Sequence, residues 1–241
     1  NFTDMHLSTT DTKKAILEGK YTGWDDIRLP FIPALKRRGY QPDAFIGYAM
    51  DVGISPADKQ VNKIEFFKSI NHFNKLVLDP QANRYFFVQD PIELKIEGAP
   101  QRDVKIELHP DFHARGCREF KTEDMFFIAK KDMDQLEDNK IHRLMDCANF
   151  TKKGKKFTFH SKDHGTFKDA KNKGTIMHWL PKQSDLLDIT VFLEAGLKAQ
   201  GKGEPGIAKL HEGAIVQLER FGFCRLDKKT KSSVEFWFTH R

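Results

Sequence analysis

Residues 82–98 read ANRYFFVQDPIELKIEG, and the change of rhythm inside them decides the fold. From about Tyr85 the period becomes two: Ile92, Leu94 and Ile96 alternate with Glu93, Lys95 and Glu97, as a strand with one face on a core requires. The alternation continues in Val104, Ile106 and Leu108, then in KFTFHS (156–161), TIMHWLP (175–181), DITVFLE (188–194), AIVQLER (214–220), FGFCRLD (221–227) and VEFWFTH (234–240). Eight or more short strands divided by Gly, Asp and Lys turns predict β-barrels rather than a parallel α/β sheet.

Upstream of this stretch the period is helical. Thr10 or Asp11 is the expected cap of TKKAILEG (12–19), with Gly19 as its stop. Both PFIPALKRRG (30–39) and PDAFIGYAMDVG (42–53) open on Pro and close on Gly. Ser55 and Asp58 have the types of a cap and an N3 residue ahead of an amphipathic run carrying Ile64, Phe67, Ile70 and Phe73. The expected fold class is therefore α+β, helices first and β after. Between the first two helices lies YTGWDDIRLP (21–30), whose Asp25, Asp26 and Pro30 read locally as helix-start punctuation.

The chain has 241 residues, 39% of them hydrophobic, enough for one large or two to three small domains without disulfide staples. Cys117, Cys147 and Cys224 are odd in number and widely spaced, so they spell neither a disulfide framework nor a Cys-x-x-Cys zinc site, and a reducing cytoplasm is the expected setting. No apolar stretch is long enough to span a membrane and no leader pattern is present; the chain starts at Asn1 without Met and reads as part of a longer one. The formal charge of +6 matters because it is clustered, in the lysine-rich segment 152–173 and again in KKTK (228–231). Lysine runs also serve simply as solvated loops that keep strand edges soluble.

Catalytic patterns are sparse. His109, His113 and Cys117 have helical ligand spacing, but Pro110 and Gly116 interrupt the helix, so no metal is expected and a structured loop is preferred. There is no phosphate-binding GxxxxGK[ST] loop and no nucleophile elbow. Small barrels with basic loops suit unstacked RNA bases, which Arg can both stack on and hydrogen-bond. Trp179 reads as barrel core.

Four stretches together resemble the class I glutamyl- and glutaminyl-tRNA synthetases: YTGWDDIRLPFIPALKRRGYQPDAF (21–45), similar to the segment after the KMSKS-type loop; residues 82–98, similar to the lead-in to the first barrel; KIELHPDFHARGCREF (105–120), similar to the His-Pro-Asp loop; and GAIVQLERFGFCRLD (213–227) with FWFTHR (236–241), similar to the closing strands. The similarity runs through the whole chain in the family's order, and the tail and the Ser-Thr-Thr loop are nearest the archaeal glutamyl type. The family's two loop lysines are replaced by His6 and Thr9, and its Pro after the paired Asp by Ile27.

The resemblance implies the following organisation: residues 1–20, the end of the catalytic domain with its KMSKS-type loop; 21–86, a helical stem-contact subdomain; 87–148 with 212–241, a proximal antiparallel β-barrel; and 149–211, a distal one. On this reading the main nucleotide-binding catalytic domain would be missing from the chain. Ser8, Thr9 and Thr10 become ATP-side residues of the KMSKS-type loop, while Arg118, Gln217 and Arg220, with Lys171 and Lys173, become anticodon-binding residues; Arg102 is a weaker candidate. Arg220 also has a structural reading, as an ion-pair partner of Glu219 or Glu212. Trp24, Asp25 and Arg28 are expected at the tRNA stem or as a hinge. The complete enzyme would be a glutamate-tRNA ligase using ATP with Mg, and this stretch alone would bind tRNA, need no cofactor and be inactive. The expected partner is a glutamate tRNA, with a glutamine tRNA second; neither a membrane nor DNA is expected, and oligomeric state is not written here. The alternatives are the same region of a glutaminyl enzyme and a non-enzymatic barrel protein holding single-stranded RNA.

Overall fold

The computed structural model describes residues 2–5, 7–53, 59–194 and 196–241. His6, Ser55 and Asp58 therefore lie outside the described residues.

Four helices open the chain: α1 (Thr9–Leu17), α2 (Ile32–Arg38), α3 (Pro42–Val52) and α4 (Lys63–Leu78). Ser8, not Thr10 or Asp11, caps α1, its hydroxyl accepting the Asp11 N–H at 3.1 Å. The cap of α4 is Asn62, in a reciprocal capping box with Glu65. α2 starts after Phe31 with Pro33 in its first turn and ends on Gly39 at φ 107°, so neither Asp25 nor Asp26 caps it. Leu35, Tyr40, Ala44 and Ile70 form the small helical core, walled by Phe45, Phe66, Phe67 and Phe73. Phe67, Ile70 and Phe73 of the α4 run line this core as their spacing predicts, while Ile64, at the start of the run, is 78% exposed.

The β region holds β1 (Asn83–Tyr85), β2 (Phe87–Gln89), β3 (Pro91–Lys95), β4 (Arg102–Glu107), β5 (Cys117–Thr122), β6 (Met125–Ala129), β7 (Ile141–Leu144), β8 (Ala148–Lys153), β9 (Lys156–Ser161), β10 (Lys173–Met177), β11 (Leu180–Pro181), β12 (Leu187–Phe192), β13 (Lys198–Gly203), β14 (Ile215–Leu218), β15 (Gly222–Lys229) and β16 (Ser233–His240). Two short helices, α5 (Lys130–Asp134) and α6 (His164–Asp169), interrupt them. A seven-stranded sheet runs β1-β14-β15-β16-β12-β13-β2. Its outer strands β1 and β2 are separated in sequence by Phe86 alone, so the sheet nearly closes on itself as a barrel. Closure brings backbones unusually near: a Cβ on Gly201 of β13 would lie 2.1 Å from the Val88 carbonyl oxygen.

The remaining strands form sheets β10-β7-β8-β9 and β11-β6-β3 and the hairpin β4-β5, wrapped around a second core containing Phe86, Phe120, Phe126, Phe150 and the fully buried Trp179. This grouping corrects the expected boundaries. β12 and β13, within the segment 149–211 assigned to the distal barrel, belong to the closing sheet, because β12 aligns in parallel with β16 and buries Leu187, Ile189 and Val191 beside Val234 and Phe236. Ladders β1–β14, β7–β10 and β12–β16 are parallel where antiparallel pairing was expected throughout; the other ladders are antiparallel. Alternation reveals which residues face inward, but not which distant strand is the neighbour.

The helical unit is locked to the closing sheet. Arg38, buried, donates to the carbonyls of Phe238 (3.2 Å) and Thr239 (2.8 Å), and His240 meets Asn74 of α4 at 2.9 Å.

Candidate nucleic-acid interface

The two β cores share one strip of chain. Side chains alternate along Tyr85–Val88, so Tyr85 and Phe87 enter the closing-sheet core while Phe86 and Val88 enter the other. The chemistry of the molecule gathers on this seam. Glu204, on the turn after β13, is 1% exposed and accepts both the Phe86 N–H and Arg118 Nη1, the latter at 2.8 Å. Arg118 lies 4.6 Å over the Phe86 ring and 3.8 Å from Glu219. Burial pushes the Glu204 carboxyl up, and the Arg118 guanidinium and Phe86 N–H pull it back.

Beside Phe86 stands His178, ring centroids 5.9 Å apart. Its Nε2 faces the Phe87 carbonyl, which can only accept, so Nε2 carries the proton and Nδ1 presents a lone pair. Burial holds its pKa down, and Arg220 holds it further down, which keeps the ring neutral. That lone pair meets Arg220 Nη1 at 3.3 Å. Arg220, in the turn between β14 and β15, has a left-handed backbone (φ 60°), which costs an Arg about 1–2 kcal/mol. Its guanidinium pairs with both oxygens of Asp132, each at 2.8 Å. The partner is thus Asp132 of α5, neither Glu219 nor Glu212 as the structural reading expected.

Arg118 and Arg220 are therefore brought to one seam, through Phe86 with His178 and through Glu219, which approaches Arg118 and directly precedes Arg220; Gln217 of β14 lies opposite Arg84 of β1 and Phe223 of β15, and among the described residues no contact sets its side chain against either arginine. The Nε and Nη2 of Arg118 and the Oε1 of Gln217 are buried with no hydrogen-bond partner. Arg118 is far less open to a base than expected, its side chain only 3% exposed beneath the Glu204 contact. Lys171 and Lys173 do not join the seam; they lie at the exposed start of β10, where Lys173 Nζ donates to the Lys168 carbonyl at 2.6 Å. Arg102 donates to the Cys147 carbonyl at 3.0 Å. Sequence reasoning missed Asp132, His178 and Glu204; KKDMDQ (130–135) and GEPG (203–206) carry no local signal of what they meet.

The 21–30 loop is held by its acids. Asp26 accepts from the Thr22 N–H (3.1 Å), the Arg28 N–H (3.0 Å) and the Arg28 guanidinium (2.6 Å), and Arg28 holds its carboxyl far below the usual range. Asp25 pairs with Arg37 at 2.9 Å; Arg37 in turn lies 3.8 Å over the Trp237 ring of β16 and 3.3 Å from Asp227. Trp24 meets Phe31 edge-on at 5.5 Å and stays 38% exposed. Through Arg37, then, the loop braces the closing sheet.

Thr9 and Thr10 are exposed in the first turn of α1, and the Ser8 hydroxyl is occupied by its cap. Among the described residues, these three side chains, on one exposed helical turn, do not enclose a nucleotide. His109 bridges the Asp79 carbonyl (2.8 Å) and the Asp111 N–H (3.1 Å), while His113 pairs with Glu107 at 2.7 Å. Among the described residues, no three His, Cys, Asp or Glu side chains are set to hold a metal.

The nearly closed seven-stranded sheet and the sheets around the second core thus form a β body joined at one polar seam, and the comparisons give its class. Residues 82–167 and 176–227 each match a model of the anticodon-binding domain of class I tRNA synthetases (E and Q). The chain belongs to this glutamyl/glutaminyl family of class I synthetases. Over nearly its whole length it is similar to archaeal glutamate–tRNA ligases: 37% identical to that of Methanocaldococcus jannaschii across 99% of the chain, 38% to that of Pyrococcus abyssi across 98%, and 36% to that of Methanosarcina mazei across 98%. It spans only 42%, 41% and 40% of the length of those relatives.

Proposed function

We infer that this chain is the tRNA-binding portion of a glutamate–tRNA ligase, its barrels holding the anticodon and its helices the stem, with Trp24, Asp25 and Arg28 bracing the joint between them. Arg118, Gln217 and Arg220 hold the middle anticodon base, and Lys171 and Lys173 serve neighbouring phosphates. Activation of glutamate with ATP and Mg, and its transfer to tRNA, belong to the complete enzyme; this stretch alone binds without charging. The role implies a cytoplasmic setting, and no described helix is long and apolar enough to cross a membrane.

The observation that carries the reading is the orphaned polar set. Buried donors and acceptors are nearly always hydrogen-bonded, yet Arg118 Nε and Nη2 and Gln217 Oε1 make no hydrogen bond, Nη2 having only the Glu219 carboxylate 3.8 Å away. A uracil edge offers the complement, an N3–H between two carbonyl oxygens. Cytosine reverses part of it, placing an acceptor at N3 and an amino donor beside it. Filter binding of the chain to a glutamate tRNA transcript, and to the same transcript with its middle anticodon uridine changed to cytidine, tests this. A loss of about 1–3 kcal/mol is expected. Equal affinity for both transcripts, with salt alone setting binding, would sink the anticodon assignment and leave a general RNA-binding module.

A further inference from the structure

We propose that Asp132 is a positioning residue for anticodon readout: held in one β core, it orients the Arg220 supplied by the other, so the reading edge forms only where the two bodies are docked. The proposal rests on the reading of Arg220 as a base-contacting residue and names what makes that residue competent.

The argument follows from counting the N–H groups of a guanidinium, five in a rigid plane. Two point along its end and meet the two Asp132 oxygens at 2.8 Å each. Another, on Nη1, meets His178 Nδ1 at 3.3 Å. The remaining pair, Nε–H and the second Nη2–H, share one edge, and among the described residues no acceptor occupies it. That free edge is a flat, two-donor fork, suited to planar carbonyl or phosphate oxygens.

Exposure sorts the partners in the same sense. The Asp132 side chain is 4% exposed and that of Arg220 36%. The anchor is thus buried and the fork half open, whereas a purely internal ion pair would bury both. Without the anchor, a long Arg side chain on a turn would spread over many rotamers, and a base would have to order it. With it, the fork is set before RNA arrives. Asp132 lies 88 positions from Arg220 and packs with the other core, so the fork is oriented only while the two cores are in contact.

The test compares the full chain with Asp132→Asn, Asp132→Glu and Arg220→Ala, measuring binding to the uridine and cytidine transcripts and the melting temperature of each variant. Asparagine retains the volume but loses the second acceptor and the charge. The expected result is that the uridine preference falls at least fivefold in Asp132→Asn, that affinity for the cytidine transcript stays within twofold, and that Asp132→Asn adds nothing in the Arg220→Ala background. A merely structural Asp132 would lower the melting temperature and leave the preference unchanged. If Asp132→Asn does not fold, Asp132→Glu keeps the charge and displaces the carboxylate by one methylene, and it too must lower the preference. A wild-type preference that persists in whichever variant folds overturns this proposal and leaves the anticodon reading standing. A wild type with no preference overturns both.

Discussion

Removing the Glu204 carboxylate should be among the most damaging single changes in the protein. Glu204 and Arg118 have side chains 2% and 3% exposed and meet at 2.8 Å, so Glu204→Ala strands a guanidinium in the seam with only Glu219, 3.8 Å away, to answer it. Breaking one partner of a buried pair costs about 3–5 kcal/mol. The same substitution orphans the Phe86 N–H, worth about 1–3 kcal/mol more. For a chain of this size each kcal/mol moves the melting point by roughly 2–4 °C, so the pair alone predicts a drop of about 10 °C. Glu204→Gln keeps an acceptor for Phe86 and should lose only the ionic part. Arg118→Met strands the carboxylate instead, while Arg118→Met with Glu204→Gln replaces the ion pair by neutral groups and should recover most of the stability. Urea unfolding of the wild type, Glu204→Gln, Arg118→Met and the double variant closes a double-mutant cycle. The reasoning fails if Glu204→Ala costs under about 1 kcal/mol, or if the two changes add to within about 0.5 kcal/mol.

Three further outcomes are expected. Gly201→Ala would force a Cβ to 2.1 Å from the Val88 carbonyl oxygen, a backbone atom that cannot swing aside; the closing ladder β13–β2 should loosen, seen as faster amide exchange there and a loss of about 1–3 kcal/mol or more. Acid should weaken the fold in two stages. Burial holds His240 at about 4, below its unfolded 6.5, so the unfolded chain binds the proton first and stability drops between about pH 6.5 and 4, by at most about 3 kcal/mol; Asp26, held far below its ordinary 3.8 chiefly by Arg28, gives a second loss at still lower pH. His178, likewise held down by burial, acts in the same window, so His240→Gln should shrink the first stage of a urea-midpoint profile without abolishing it, and a profile unchanged by it counts against the assignment. Finally, Lys171→Ala with Lys173→Ala should reduce the slope of log affinity against log salt by about 1 to 2 without altering base preference; an altered preference would place these lysines at a base instead.

Much of the fold was legible because its signals are local. Ile92, Leu94 and Ile96 announce a strand by alternation alone, and the Pro and Gly that bracket Ile32–Arg38 and Pro42–Val52 announce two helices within a residue or two. Where two readings competed at short range, geometry decided. Asp25 and Asp26 have cap chemistry, but Asp26 is drawn into a five-residue ring by Thr22 and Asp25 into a pair with Arg37, leaving Phe31 to begin α2 without a side-chain cap. Thr10 has cap chemistry as well, but Ser8 lies closer to the turn that needs closing. Strand partnership was less legible, because inward-facing Ile189 and Val191 would suit either barrel; only the parallel alignment with β16 assigns them to the closing sheet.

The site is harder still to read, for a reason specific to it. Arg118 and Glu204 are 86 positions apart and Arg220 and Asp132 88, and each pair links the two cores. An ion pair of this kind is a poor way to hold two hydrophobic bodies together, since well-packed apolar side chains of the same volume do as well or better. Stability alone therefore does not account for two such pairs flanking one ring, Phe86, on the strip of chain that both cores share. What the arrangement does provide is directed, half-satisfied polarity: Arg118 and Gln217 with unpaired atoms, and Arg220 with one edge left open. Apolar residues offer no such edge to a base. On the proposed reading the seam trades packing for recognition, with Asp132 of KKDMDQ and Glu204 of GEPG holding its arginines in place.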